Sequence, residues 1–183
     1  MCIIPYEERY RDDMIFMTLE AKDALGLIPT LREDLLDVRS NYLDTGDGFW
    51  LALRKDRTER ERVVGCVGYR SVAGTEEVFL HRFFVKAALK RQGIGTALLH
   101  TAEEAIRAAG KTTIRVHLGG DPEIWFESRA FYQKHGYLYT DDTHMEKRIR
   151  PVRNDLPVFT NPPSGDIMEN RNKFMNDTGK DYT

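Results

Sequence analysis

The stretch Lys90-Arg91-Gln92-Gly93-Ile94-Gly95-Thr96 leaves the chain fewer ways to fold than any other. A strand-like run from Val78 to Val85 comes just before it. Ile94, Leu98, Ala102, Ala105 and Ala109, apolar at helical spacing, follow directly. The order is strand, glycine turn, helix. Two glycines one residue apart let the backbone approach a ligand closely, and a helix starting there points unpaired N–H groups and the positive end of its dipole outward. Such a turn suits an anion, most often a phosphate. A tight turn into a helix with no ligand is the plainer reading, and the turn alone does not separate the two.

The surrounding residues carry more. Leu80-His81-Arg82-Phe83-Phe84-Val85, four further residues, then Lys90-x-x-Gly93-x-Gly95-Thr96-Ala97-Leu98-Leu99 resembles motif A of the GNAT superfamily of N-acetyltransferases. Downstream, Ser128-Arg129-Ala130-Phe131-Tyr132-Gln133-Lys134-His135-Gly136-Tyr137 is similar to that family's helix ending in Phe-Tyr-x-x-x-Gly-Phe. The resemblance runs from about Cys2 to Arg148. It implies an α/β (α+β) fold: a twisted, mostly antiparallel sheet of about six to seven strands, helices on both faces, splayed where the cofactor enters. It also implies acetyl-CoA as cosubstrate, with the amides of Lys90, Arg91, Gln92, Gly93, Ile94, Gly95 and Thr96 on the pyrophosphate and the charges of Lys90 and Arg91 nearby. Phe83, Phe84 and Val85 would pair through their main chain with the pantetheine amides, as an added strand does. Tyr132 stands where many members place the acid that protonates the departing thiolate. A phenol of pKa about 10 and a thiol of about 8.5 are close enough for that transfer.

The chain departs from the family at three positions. Lys90 replaces the usual Arg or Gln. Phe79 stands where members often carry a glutamate base, and Trp125 where Asn is common. Trp125 and Ser128 lie on one helical stripe with Tyr132, where the resemblance implies cofactor contacts; in place of the Asn hydrogen bond, Trp125 would pack against the pantetheine arm or the core. For a base, His81 shares the strand face of Phe79 and titrates near neutrality, while a core histidine bonded to a neighbouring strand is the structural alternative. Glu77 and His117 are further candidates, and a water chain would also serve. His81, His117 and Cys66 match no common zinc spacing, so no metal is expected.

Bulk properties narrow the function classes. A net charge of −2 and a pI near 6.2 leave no basic excess for nucleic acid. No apolar run approaches the roughly 20 residues of a membrane span, and charged Glu7, Glu8 and Arg9 follow too soon for a signal peptide. Two cysteines without paired spacing, Cys2 and a strand-borne Cys66, fit a reducing cytoplasm.

Along the chain the expected elements are a strand at Cys2 to Pro5, a helix from Glu8 to Leu25 stopped by Gly26, and a second helix from Arg32 to Leu43. Strands Phe49 to Arg54, Arg62 to Val72 and Val78 to Val85 follow, the last with Phe79 and Phe83 on one face and Val78, Leu80 and Phe84 on the other. After the long helix come a strand at Thr112 to Leu118 and a helix from Glu123 to His135, with Asp121 as cap and Gly136 past its end. Strands Tyr137 to Thr140 and His144 to Ile149 close the domain, 1–150. From Pro151 to Thr183 the composition turns polar and aperiodic, reading as a tail. The expected reaction is direct acetyl transfer to a primary amine of a small molecule. A peptide N-terminus or protein lysine is the runner-up, a non-catalytic acyl-CoA sensor is a third reading, and a homodimer stays open.

Overall fold

The computed structural model describes residues 1–150; the segment 151–183, read above as a tail, lies outside the described residues. The chain runs β1 (Cys2–Pro5), α1 (Arg11–Asp23), β2 (Gly48–Lys55), β3 (Glu61–Ser71), β4 (Glu77–Val85), α2 (Ile94–Ala108), β5 (Thr113–His117), α3 (Phe126–Lys134), β6 (Leu138–Tyr139) and β7 (His144–Arg148). Its seven strands form one sheet in the order β1-β2-β3-β4-β5-β7-β6. Each neighbouring pair is antiparallel except β4 and β5, which α2 joins as a crossover and which are parallel.

Alternation along the strands divides the core between the sheet's two faces. On one face, Ile94, Leu98, Leu99, Ala102 and Ile106 of α2 pack with Val64, Val67, Val78, Ile114 and Val116. On the other, Met14 and Met17 of α1 pack with Leu51, Leu53, Val63 and Cys66, so Cys66 is the buried small side chain its sequence setting suggests. Helices thus cover both faces, as expected. The buried stripe of α2 turns from Ala102 to Ile106 instead of to Ala105 and Ala109, because 3.6 residues per turn carries the face slightly forward at each step.

Three expectations need correction. Arg32 to Leu43 is not one helix: it holds a 3-10 turn at Glu33–Leu35 and a π-type turn at Arg39–Leu43. The Asp37 carboxylate accepts the Ser40 N–H at 3.0 Å and starts a new turn there, a side-chain bond that competes with the helical ladder. Helix α3 begins at Phe126 and not at Glu123. Asp121 does accept the Glu123 N–H at 2.9 Å, but that turn ends at Trp125, whose backbone has left the helical region.

The third correction bears on the site. His81 faces Gly68 and Phe84 faces Cys66, so Arg82 and Phe83 of β4 stand against Val67 alone. This is a β-bulge, and Arg82 takes its left-handed conformation at φ +50°. The extra residue reverses the alternation beyond it. Phe83 and Val85 therefore join Val78 and Leu80 on the α2 face, while Phe84 packs on the α1 face. The Cys66 thiol donates to the Arg82 carbonyl oxygen at 3.1 Å, partnering a group the bulge takes out of the ladder.

Candidate active site

The glycine turn has the geometry its sequence suggests. A 3-10 turn at Ala87–Leu89 leads into Arg91 at φ +63° and Gly93 at φ +81°, and α2 starts at the next residue. The first four-residue bond of α2 runs from Ala97 N–H to the Gly93 carbonyl, which leaves the N–H groups of Ile94, Gly95 and Thr96 without helical acceptors. A Cβ on Gly93 would meet no protein atom within 4 Å, so backbone conformation and not crowding by the protein demands glycine there. Gly95 lies 3.5 Å, at its missing Cβ, from the Phe131 ring, where α2 and α3 meet.

Beside the turn the sheet opens. Pairing between β4 and β5 stops at Phe79 and Arg115, so the edge of β4 from Leu80 to Val85 has no partner in β5. The cleft that begins there has a volume of about 600 Å³. Phe83, Phe84 and Val85 border it on the strand, Lys90, Arg91 and Gly93 to Thr96 at the turn, Trp125 just before α3, and Ser128 and Tyr132 on α3. The sequence-assigned cofactor residues are therefore brought together, with one exception. The Gln92 side chain turns away and accepts from Arg54 Nη1 at 2.8 Å. The Thr96 hydroxyl is also committed. His135 Nδ1 lies 2.8 Å from the Phe131 carbonyl oxygen, which only accepts, so Nδ1 carries the hydrogen and Nε2 accepts from Thr96 Oγ1 at 3.2 Å. Only the backbone N–H of Thr96 is left to face a ligand.

Tyr132 borders the cleft among the rings of Phe83, Phe131 and Tyr137, at 6.1, 5.5 and 5.1 Å between centroids. Its hydroxyl has no hydrogen-bond partner among the described residues. Burial pushes the phenol above its ordinary value, so the proton stays on throughout the neutral range. Trp125 lies flat over Gly119, where a Cβ would fall within 1.9 Å of the indole nitrogen. The indole is thus a wall of the cleft.

His81 is placed elsewhere. It stands on the α1 face of the sheet, 6.3 Å from the Tyr42 ring, away from the cleft that Tyr132 borders. Burial, with Arg82 and Arg70 close by, lowers its pKa, and its Nδ1 is buried without a partner among the described residues. It is a neutral imidazole at pH 7. Next to it, Arg82 Nε and Nη2 each donate to Asp34 at 2.8 Å, and the Tyr42 hydroxyl donates to the same carboxylate.

Two groups escaped the sequence reading. Asp34 is 48 positions from Arg82, and no local pattern marks that pairing. Glu127 accepts from Lys90 Nζ at 2.6 Å and Arg91 Nη2 at 3.3 Å, bridging α3 to the turn. An acid in the first turn of a helix facing a basic loop was its signal. Among the described residues no helix is long and apolar enough to cross a membrane, and no cluster of His, Cys, Asp or Glu is arranged to hold a metal ion.

Comparisons with known proteins agree with this arrangement. Residues 14–137 match the model of the acetyltransferase (GNAT) family, a span that contains both the glycine turn and α3. Human N-acetyltransferase 8 is 31% identical over 116 residues, 61% of this chain and 48% of that protein, so the chain spans about half the length of this curated relative. A GNAT-family acetyltransferase from Staphylococcus aureus Mu50 superposes with a TM-score of 0.68 at 21% identity, covering 81% of this chain and 99% of that one. An aminoglycoside 6'-N-acetyltransferase solved with coenzyme A gives 0.61 at 18% identity, over 82% and 98%. A parallel strand pair that parts beside a glycine turn, in a chain whose larger part matches one family model, settles the assignment: this protein belongs to the GNAT acetyltransferase family.

Proposed function

We propose that the protein is an N-acetyltransferase that moves the acetyl group of acetyl-CoA directly to the primary amine of a small molecule. One observation carries the reading. The Tyr132 hydroxyl, without a hydrogen-bond partner among the described residues, borders the same cleft as the unpaired N–H array of α2. A hydroxyl that opens to a cleft and has no protein partner is free to bond a ligand there. The residues fit coenzyme A: N–H groups of Ile94, Gly95 and Thr96 suit phosphate oxygens, and the free edge of β4 suits an extended amide chain. When bound, the cosubstrate supplies an activated acetyl thioester. This chain's residues orient it, exclude water with Phe83, Phe131 and Trp125, and hold a proton at the Tyr132 oxygen for the leaving sulfur.

A peptide N-terminus or protein lysine is the second acceptor reading. A reducing, cytoplasmic setting belongs to the same proposal, supported by the unpaired cysteines Cys2 and Cys66. The test is thiol release from acetyl-CoA over a panel of amines, amino acids and peptides. Turnover with a free amine is expected. Turnover only with peptides would support the second reading, and tight CoA binding with no turnover would make the protein a sensor.

A further inference from the structure

We propose that the acceptor is an amine that also carries a carboxylate, as a free amino acid does, and that the Lys22 ammonium binds that carboxylate on the α1 side of the cleft. This rests on the acetyl-transfer reading above and narrows its acceptor. The cleft that Tyr132 borders reaches α1: Ala21 on the helix, Leu25 just past its end and Phe84 of β4 line it together with the turn and α3. Lys22 follows Ala21, and its Nζ stands over the Phe84 ring, 6.0 Å from the centroid. The ammonium thus lies against a ring that forms part of the cleft wall.

The charge of Lys22 is unmet. The residue is 9% exposed, yet its one hydrogen bond among the described residues goes to the Thr30 carbonyl oxygen at 2.6 Å, and no carboxylate among them pairs with it. Lysine is rarely buried this far without an anion, because one carbonyl dipole replaces little of the water an ammonium gives up. Asp34 is the acid nearby, and both of its oxygens are taken: Arg82 donates to each at 2.8 Å, and the Tyr42 hydroxyl donates to one of them. Burial, and then the charges of Arg32 and Arg82, lower the Lys22 pKa. Three cations therefore face one carboxylate, an excess that an incoming carboxylate removes. The same excess disfavours an ammonium on the acceptor, whose attacking amine must be neutral. Ala21, Leu25 and Phe84 surround the position with apolar wall, where a charge-assisted hydrogen bond is stronger than in water and an apolar side chain is accommodated.

In the step the carboxylate is untouched. The amine nitrogen bonds to the thioester carbon, the C–S bond breaks, the sulfur takes the Tyr132 proton, and the amine proton passes to solvent, which reprotonates Tyr132. The net change is amino acid plus acetyl thioester to N-acetyl amino acid plus thiol.

The test measures kcat/KM, per neutral amine, for leucine, methionine and phenylalanine, each against its amide and its decarboxylated amine. It is run on the full chain of the parent and of Lys22→Met, which keeps the apolar stem. Losing one member of a buried, hydrogen-bonded charge pair costs about 30-fold or more. The parent should favour the amino acids by about that factor, through KM. Lys22→Met should lose it on the amino acids and stay within threefold of the parent on the uncharged analogues. An equal loss on all three classes marks a structural role and overturns the proposal. A parent that acts on the amides as well as on the amino acids also overturns it, in favour of a peptide N-terminus. The parent's own preference decides even where the variant fails to fold. Calorimetry of leucine and leucinamide on the CoA-loaded protein reads the preference without turnover: leucine should bind about 30-fold tighter, with the difference lost in Lys22→Met, and equal binding overturns the proposal. A protein that binds leucine this way yet acetylates nothing refutes the acetyl-transfer reading and leaves the carboxylate site standing, whereas an active protein without the preference refutes only this inference. Acetylation of Lys22 itself by acetyl-CoA alone, read by peptide mass, would make it an acceptor instead of an anchor and overturn the proposal.

Discussion

Tyr132→Phe separates function from packing more sharply than any other change in this protein. It keeps the ring among Phe83, Phe131 and Tyr137 and removes one oxygen that has no hydrogen-bond partner among the described residues. The hydroxyl opens to the cleft and is not sealed from solvent, so removing it neither strands nor relieves a buried polar group. The Phe variant should thus be as stable as the parent, with Tm unchanged within about 2 °C. Burial keeps the phenol protonated until the C–S bond lengthens, when the growing charge on sulfur draws the proton across. Losing that donor should lower kcat about 10²-fold, which is about 2.7 kcal/mol of barrier, with CoA affinity unchanged. The assays are thermal melting, CoA calorimetry and single-turnover thiol release, so that product release does not mask chemistry. An unchanged single-turnover rate would refute the catalytic role, and a fall in Tm of several degrees would show that the hydroxyl has a structural partner after all.

Other perturbations test the remaining parts of the site. Gly93→Ala should cost about 1–2 kcal/mol through the positive φ alone, whereas Gly93→Val, β-branched, should abolish CoA binding by calorimetry; undiminished binding by the Val variant would remove the phosphate from this turn. Burial alone would raise the Asp34 carboxyl, but Arg82 and Tyr42 outweigh it and hold the group below its ordinary value. That stability is present above the unfolded value near 3.9 and is lost as pH falls through the lower, folded one, so Asp34→Asn should lower Tm at pH 7 and the deficit should shrink as the medium is acidified below that unfolded value. Lys147→Met strands the buried Glu103, to which Lys147 donates at 2.8 Å, and should cost about 3 kcal/mol by urea midpoint; adding Glu103→Gln should recover most of it.

The sequence by itself determined a good deal of this protein. The glycine turn, the strand before it and the helix after it were legible because they depend on neighbouring residues: a positive φ at Gly93, alternation in β4, and period 3.6 in α2. The Phe-Tyr pair of α3 was legible for the same reason, and with the turn it implied the family. Tertiary structure decided the rest. The bulge at Arg82 exchanged the faces of Phe83 and Phe84, and nothing in β4 alone announces it, because it is set by the register against β3. Arg32 to Leu43 has helix-like spacing, yet Asp34 is drawn to Arg82 and Tyr42, and Asp37 to Ser40. The side of the sheet His81 occupies relative to Tyr132, and the meeting of His117 on β5 with His144 on β7, likewise depend on strand order. Propensity and period act over a few residues. Partners tens of residues apart become neighbours only when the sheet assembles, and it is there that the candidate chemistry of this site is set.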